Sequence, residues 1–296
     1  MNVICDLYGI RYPLVMGAVA STPGLGIAVS EAGGLGTIAA AGATPDQLRE
    51  RIRAYRAATS RPFAVNFPIA LMPADQLEAK IGICIEMQVA AVITSAGSAK
   101  VATARLKEHG IRVAHVVATT LHAQKAADAG VDAVIAEPVE SGGYRGDSEV
   151  SMMILIPSIR RALPTMPIVA AGAVADGHGI AAVFALGADG IQLGTRLIAT
   201  LESELPAHYQ RLILAANDTA TASAEGRIRP RVAKAEFAES VLGEVKRVQM
   251  GQVAALIDDV APAGEVIERI FREAGEVARA NMAALSGFAG IGSGVG

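Results

Sequence analysis

The chain has no tryptophan, and aromatic residues make up only 4% of its 296 residues. Hydrophobic residues still amount to 52%, so alanine, valine, isoleucine, leucine and glycine have to fill the core. Small side chains of this kind suit the close packing of helices on strands in α/β folds. The length is sufficient for one large α/β barrel or for two smaller domains.

Cysteine is almost as scarce. Cys5 and Cys84 lie far apart and have no CxxC or CxH partner spacing, which argues against a disulfide framework and a zinc site. No HxH, HExxH or carboxylate cluster has the spacing of metal ligands, so no metal is expected. Two reduced, buried thiols are typical of a cytoplasmic protein, and that is the predicted location.

An excess of basic residues and a long apolar run are also missing. With 26 Lys and Arg against 29 Asp and Glu, the net charge is −3, which disfavours a nucleic-acid partner. Asp6 and Arg11 interrupt the N-terminal apolar stretch, unlike a signal peptide. No uncharged apolar run reaches the roughly 18 residues needed to span a bilayer, so no membrane partner is expected.

What the chain does contain is a series of short apolar runs separated by segments of helical character. There are eight, at Pro13–Ala18, Gly34–Ala40, Phe63–Phe67, Ala90–Ser95, Arg112–Ala118, Ala133–Glu137, Ile168–Ala173 and Gly190–Thr195. Thr44 and Pro45 form a helix start, and Gly110, Gly130 and Gly187 end helices. Such alternation predicts βαβ units and a parallel sheet.

Eight units in about 200 residues predict an α/β fold of the (β/α)₈ TIM-barrel type. A doubly wound open sheet is the competing architecture. It would require a dinucleotide fingerprint after the first strand, and Met16–Ala20 does not contain GxGxxG.

The pattern changes after Thr195. Residues 196–216 predict one long helix, and Pro262–Leu285 predicts a strongly amphipathic helix. We therefore expect a barrel formed by residues 1–200 and part of 245–260, with a small C-terminal helical subdomain or lid at 201–286. The glycine-rich segment 287–296 is expected to be a flexible tail.

Two features indicate where chemistry takes place. The sixth run ends in a polar, glycine-rich loop that carries Glu137, Glu140, Ser141, Tyr144 and Arg145. In a (β/α)₈ barrel, phosphate often binds after strands seven and eight, which here end near Gly172 and Gly194. These glycines favour a phosphate-bearing ligand, although each taken alone is explained by a tight turn.

Six ordered motifs resemble the nitronate monooxygenase (2-nitropropane dioxygenase) family, which also includes the FMN-dependent enoyl-ACP reductases. They are Gly33–Ile38, Pro62–Asn66, Glu140–Gly146, Val169–Ala173, Leu186–Arg196 and Met250–Gln252. The resemblance covers nearly the whole chain. It is specific for the family and says little about the substrate.

The resemblance implies a TIM barrel that binds FMN non-covalently. Carried over by motif, the flavin ring would lie against the backbone of Met16, Gly17 and Ala18. Asn66, Gln192 and Ser95 would contact the ring or the ribityl chain, although Asn66 is also explained by a structural hydrogen bond to a loop. The loop residues Glu140, Ser141, Gly142 and Gly143 would approach the cofactor, and the phosphate would be held by Gly172, Ala173, Gly194 and Thr195.

One position departs from the family. The family's loop usually reads Gly-Gly-His, and that histidine is taken as the base that removes the α-proton of a nitroalkane; here the position is Tyr144. A phenol titrates near 10 and an imidazole near neutrality, so Tyr144 is a poor base unless Arg145 lowers its pKa. Tyr144 is equally explained as a hydrogen-bond donor or as an aromatic wall. His115 is a second catalytic candidate, or else a satisfied core histidine.

The leading hypothesis is an FMN-dependent oxidoreductase that oxidises alkyl nitronates with O₂. The alternative is an NAD(P)H-dependent reductase of an enoyl thioester, enone or quinone, with NAD(P)H as co-substrate. Two further possibilities are a non-redox (β/α)₈ enzyme for a phosphorylated substrate and a flavin-binding protein with little turnover. The partner is a small-molecule substrate, and the C-terminal helices are interpreted as a lid or as a homodimer contact.

Overall fold

The structure is a computed structural model that describes residues 2–19, 23–225 and 229–289. Eight parallel strands form one sheet, with β1 next to β8 and the remaining strands following in sequence order down to β2. A bridge between Val15 and Leu35 joins β1 to β2 and closes the barrel. The predicted TIM barrel is therefore confirmed, and the strands are β1 (Leu14–Met16), β2 (Gly36–Ala39), β3 (Phe63–Pro68), β4 (Ala91–Ser95), β5 (Arg112–Val117), β6 (Ala133–Ala136), β7 (Ile168–Ala171) and β8 (Gly190–Leu193).

Each strand reads as an apolar run because both of its faces are covered. Residues on one face pack outward against the helices, and residues on the other fill the interior. The interior set consists mainly of small and branched side chains, which explains how the barrel is filled without tryptophan: Val15, Leu35, Ala64, Ile93, Ala114, Ile135 and Val169.

Twelve helices accompany the strands in the part of the chain that the structure describes. They are α1 (Val3–Tyr8), α2 (Gly24–Glu31), α3 (Pro45–Ala58), α4 (Ala74–Glu86), α5 (Thr103–Glu108), α6 (Thr120–Asp128), α7 (Met152–Ala162), α8 (Gly177–Leu186), α9 (Thr195–Ile198), α10 (His208–Leu214), α11 (Ala235–Leu242) and α12 (Ala263–Ala289). A small antiparallel pair, β9 (Thr221–Ser223) and β10 (Arg231–Ala233), lies between α10 and α11. Ile4 and Tyr8 of α1 join the interior cluster and close the amino-terminal end of the barrel.

Local signals explain several boundaries. The Thr44 hydroxyl accepts from the Gln47 N–H at 3.2 Å, and the Gln47 side chain accepts from the Thr44 N–H at 2.9 Å, which makes a capping box before Pro45. Gly110 and Gly187 follow α5 and α8 with φ of 76° and 107°, as the expected glycine terminators require.

The prediction of one long helix over 196–216 is wrong. The chain forms α9, leaves the helical path, and returns to it only at α10. Two features explain the break: Thr200 pairs with Ala261 in a parallel bridge, and Pro206 cannot donate a helical hydrogen bond.

The amphipathic helix expected at Pro262–Leu285 is confirmed as α12. It packs against α8 and α2 in the outer ring of the barrel, where Phe271 stacks on Tyr12 with ring centroids 4.8 Å apart. The division into a barrel and a 201–286 subdomain stays a prediction. Of the expected flexible tail, residues 287–289 continue α12, and residues 290–296 lie outside the described residues. Among the residues that the structure describes, no helix combines the length and the apolar character that a bilayer crossing requires.

Candidate active site

A cavity of about 320 Å³ opens at the carboxyl ends of the strands. Side chains alternate between the two faces of a strand, so the last inward-facing residue of each strand lies directly beneath the cavity, on top of the interior core. Every strand contributes one member to this floor: Gly17, Ala39, Asn66, Ser95, Val116, Glu137, Ala171 and Gln192. The position agrees with the general location of active sites in this fold.

One wall of the cavity presents unpaired backbone donors. The N–H groups of Gly172, Ala173, Gly194 and Thr195 donate to no residue in the described part of the chain. Gly172 has φ of 102°, and a Cβ atom there would lie 2.5 Å from Ser141 Oγ. The Thr195 hydroxyl accepts from the Gly251 N–H at 3.0 Å and keeps its own proton for donation. These donors match the requirements of a phosphate dianion.

The floor carries polar side chains without protein partners. The amides of Asn66 and Gln192 and the hydroxyl of Ser95 make no hydrogen bond to a described residue. Ser141 Oγ is buried and also lacks a partner within the described chain. Because unpaired polar groups in a largely buried site are costly, the arrangement fits a polar ligand that satisfies them.

The loop after β6 is packed tightly against the C-terminal part of the chain. A Cβ atom on Gly142 would lie 2.5 Å from the Gly251 nitrogen, and the Glu140 carbonyl accepts from the Gln252 N–H at 3.0 Å. Gly143 forms an antiparallel bridge with Arg231. The loop is thereby held over the cavity by residues about 100 positions away.

Comparison with known proteins identifies the family. The family model described as nitronate monooxygenase matches residues 2–263. The chain belongs to the nitronate monooxygenase family. Members of this family are flavoproteins, so the family implies FMN, and the unpaired donors around the cavity fit the phosphate and the polar edge of that cofactor.

The nitronate monooxygenase of Pseudomonas aeruginosa is 32% identical over 252 residues, which cover 70% of this chain and 72% of that protein. A (3aS,4S,5R,7aS)-5-hydroxy-7a-methyl-1-oxo-octahydro-1H-indene-4-carboxyl-CoA dehydrogenase of Rhodococcus jostii is 36% identical over 210 residues, covering 69% of this chain and 57% of that protein. The match thus spans little more than half the length of that relative.

Among solved structures, FabK from Thermotoga maritima superposes with a TM-score of 0.88 at 36% identity, covering 97% of this chain and 99% of that chain. A nitroalkane oxidase from Streptomyces ansochromogenes superposes with a TM-score of 0.82 at 28% identity, covering 95% of this chain and 100% of that one. Both cover almost all of the barrel and its C-terminal helices.

At the family's histidine position, Tyr144 lies at the mouth of the cavity with 56% of its surface exposed. Its hydroxyl bonds to no described residue. The Arg145 guanidinium is engaged elsewhere, because it donates to the Ser148 carbonyl at 2.8 Å and to Ser223 Oγ. The sequence-based suggestion that Arg145 activates Tyr144 therefore finds no support in these contacts.

Three predicted site residues point away from the cavity. His115 lies on the outward face of β5, with Nδ1 2.7 Å from Thr94 Oγ1, and burial lowers its pKa to about 4. His115 is not among the described lining residues, and its contact with Thr94 agrees with the alternative of a satisfied core histidine. The Met16 side chain is buried in the outer core. The Glu140 carboxylate accepts from the Met152 N–H at 3.1 Å and caps α7.

The other predicted residues reach the cavity, except that Ala173 contributes only its backbone to the turn after β7. Those that line the cavity are Gly17, Ala18, Asn66, Ser95, Ser141, Gly142, Gly143, Tyr144, Gly172, Gln192, Gly194 and Thr195. The geometry thus brings together predicted residues from six of the eight strand ends.

Three further polar residues line the cavity, of which Glu137 was named from the sequence without a role and the other two were not predicted. Glu137 follows Ile135 at the spacing of two that keeps it inward, so the strand pattern contained a signal for it. Tyr209 and Gln249 come from the C-terminal part, and nothing local in the sequence indicates that they reach the cavity. Burial raises the pKa of Glu137 to about 8, and Arg145 opposes that shift.

Proposed function

We propose that the protein is an FMN-dependent oxidoreductase that oxidises alkyl nitronates with O₂. The observation that carries the proposal is the cavity itself, which combines unpaired backbone donors on one wall with unpaired amides on the floor. A histidine base is lacking among the described lining residues. That favours a substrate which has already lost its α-proton.

The proposed roles follow from these positions. The N–H groups of Gly172, Ala173, Gly194 and Thr195 hold the phosphate. Asn66 and Gln192 donate to the polar edge of the ring, and the backbone at Gly17 and Ala18 supplies a flat surface. FMN supplies the electron-transfer chemistry when it is bound, and the protein binds, orients and shields it from water.

A nitronate suits this site for a physical reason. It is an anion with its charge delocalised over two oxygens, so amide and hydroxyl donors stabilise it without a buried countercharge. Since its α-carbon carries no acidic proton, electron transfer to the flavin requires no strong base. The neutral nitroalkane, in contrast, has to lose a proton first.

A second candidate has separate support. The Rhodococcus relative is named as a dehydrogenase of a carboxyl-CoA compound, and FabK superposes on nearly the entire chain. Both are 36% identical to this protein. The second candidate is therefore an NAD(P)H-dependent enzyme that acts on an acyl thioester in the same cavity.

Anaerobic rapid mixing of the FMN-loaded protein separates the candidates. Propyl-2-nitronate, NADH and NADPH are mixed in turn, and loss of the visible flavin absorbance is recorded. Reduction by the nitronate alone supports nitronate oxidation, and reduction by a nicotinamide alone supports the thioester enzyme. Both candidates would be contradicted if the wild-type protein binds no FMN in titrations and the Asn66→Leu variant behaves in the same way.

A further inference from the structure

Glu137 occupies a place in the cavity that the proposed function does not use. It is the first residue after β6 and continues the inward face of Ala133 and Ile135. Its N–H donates to the Val117 carbonyl at 2.8 Å, which fixes the backbone at the floor of the cavity. Of the lining residues that the structure describes, it is the only one with a carboxyl side chain, and none of the others is Lys, Arg or His.

The Glu137 carboxyl is free to act on a ligand. It makes no hydrogen bond or ion pair with any residue in the described ranges, unlike the Glu140 carboxylate three residues later, which caps α7. The side chain is largely buried, and the lining residues on the two adjacent strands, Val116 and Ala171, are apolar. A carboxyl group in such surroundings is a proton acceptor and donor near neutral pH rather than a permanently ionised surface group.

Few other ionisable groups face Glu137. Tyr144 and Tyr209 line the same cavity, and Arg145 lies buried behind the loop. His115 on the adjacent strand is turned outward to Thr94. Burial raises the pKa of Glu137 to about 8, and the positive charge of Arg145 lowers it by a smaller amount. The carboxylate is thus a minor species at neutral pH and the major species in mild alkali.

We propose that Glu137 removes the α-proton of neutral nitroalkanes, so that the protein forms its nitronate substrate within its own cavity. The C–H bond breaks, its electron pair delocalises onto the nitro group, and the proton forms an O–H bond with the carboxylate. Solvent at the open mouth of the cavity takes up that proton before the next turnover. This inference rests on the proposed nitronate oxidation, since the same FMN then receives the electrons.

The position of Glu137 favours it over Tyr144 as the base. Tyr144 is more than half exposed at the rim, whereas Glu137 lies at the floor of the cavity, in the layer of strand ends that also holds Asn66 and Gln192. The Glu137 carboxyl can thus meet the α-carbon of a substrate inside the cavity, while Asn66 and Gln192 stay available to the cofactor. A base and its hydrogen-bond donors on rigid strand ends meet the geometric requirement for proton abstraction.

The test is anaerobic flavin reduction by 2-nitropropane and by its preformed nitronate, measured across the titration of Glu137. For wild type, the rate with 2-nitropropane should rise with pH and show an isotope effect when the α-hydrogen is deuterium. Glu137→Gln should lower that rate by about 100-fold or more, and Glu137→Asp should retain part of it. Asp147→Asn, which removes an exposed carboxylate from the same loop, should have no effect.

Infrared spectroscopy supplies a readout that does not depend on turnover. The resting FMN-loaded wild type should show a protonated-carboxyl band that disappears as the pH passes about 8 and is absent in Glu137→Gln. A missing band would contradict the raised pKa of Glu137, because a carboxyl group that is already ionised at rest gives no such band. The proposal fails if 2-nitropropane reduces the flavin no more than the nitronate already present in it does. It also fails if Tyr144→Phe abolishes flavin reduction by 2-nitropropane and Glu137→Gln retains it. Failure of the preformed nitronate with wild type would instead reject the proposed function.

Discussion

The contact between the loop after β6 and the C-terminal segment can be tested at Gly142. Replacing it by alanine puts a Cβ atom 2.5 Å from the Gly251 nitrogen and 2.7 Å from the Met250 carbonyl carbon. Both neighbours are backbone atoms, so no side chain can rotate away. Either the loop or the 250–251 segment has to move.

Overpacking of this kind costs about 1–3 kcal/mol, and a clash with backbone belongs at the upper end. We expect Gly142→Ala to lower the free energy of unfolding by about 3 kcal/mol. If the loop moves instead, the change should appear as weaker FMN binding. Chemical denaturation followed by circular dichroism and FMN titration followed by flavin fluorescence measure the two effects on the same samples.

The same loop offers two matched controls. A Cβ atom added at Gly146 would meet no described atom within 4 Å, so Gly146→Ala should change stability by no more than about 0.5 kcal/mol. A Cβ atom at Gly143 would make only an ordinary contact, 3.7 Å from Gln249 Oε1, but φ is 79°, so substitution by alanine should cost about 1 kcal/mol through backbone strain. If Gly142→Ala matches Gly146→Ala in both stability and FMN affinity, the packing argument is refuted.

Three further predictions concern the cavity. Burial raises the pKa of Glu137 from 4.5 to about 8, so its contribution to stability is fully present below pH 4.5 and is lost as the pH rises through 8. Glu137→Gln should remove this loss and make the protein more stable in alkali, by about 5 kcal/mol at most. Chemical denaturation of both proteins at matched FMN occupancy measures the difference. Tyr144→His should raise activity on neutral nitroalkanes at neutral pH, because an imidazole at the rim is then partly unprotonated and adds a second base; no gain at any pH would show that a side chain at this position does not reach the α-carbon. Asn66→Leu should weaken FMN binding by about tenfold in equilibrium titration, corresponding to the loss of one hydrogen bond, and an unchanged affinity would show that this amide does not contact the cofactor.

Much of the barrel was predictable from local pattern. All eight strands fall within or next to the predicted runs, because a strand covered on both faces needs a continuous apolar segment. Thr44 with Pro45 and the glycines after α5 and α8 marked helix ends through local backbone requirements. The family was recognisable from short motifs, whose glycines allow a ligand or another backbone segment to approach closely.

Other features depend on contacts that no local pattern contains. The single helix expected over 196–216 fails because Thr200 pairs with Ala261, more than 60 residues away. The sequence left open whether His115 lies on the inner or the outer face of β5. Closure of the barrel decides this, and it places His115 on the outer face beside Thr94. Glu140 was assigned to the cofactor, but the beginning of α7 captures its carboxylate.

The sequence by itself thus determined the eight βα units, the position of the glycine-rich loops at strand ends and the family. These depend on composition and spacing over a few residues. Only the tertiary structure decided that Gly142 packs on Gly251 and that Glu137 is the lone carboxyl group among the described lining residues. The physical reason is that close packing and desolvation depend on which distant segments of the chain come into contact. The raised pKa of Glu137 follows from the burial that these contacts produce.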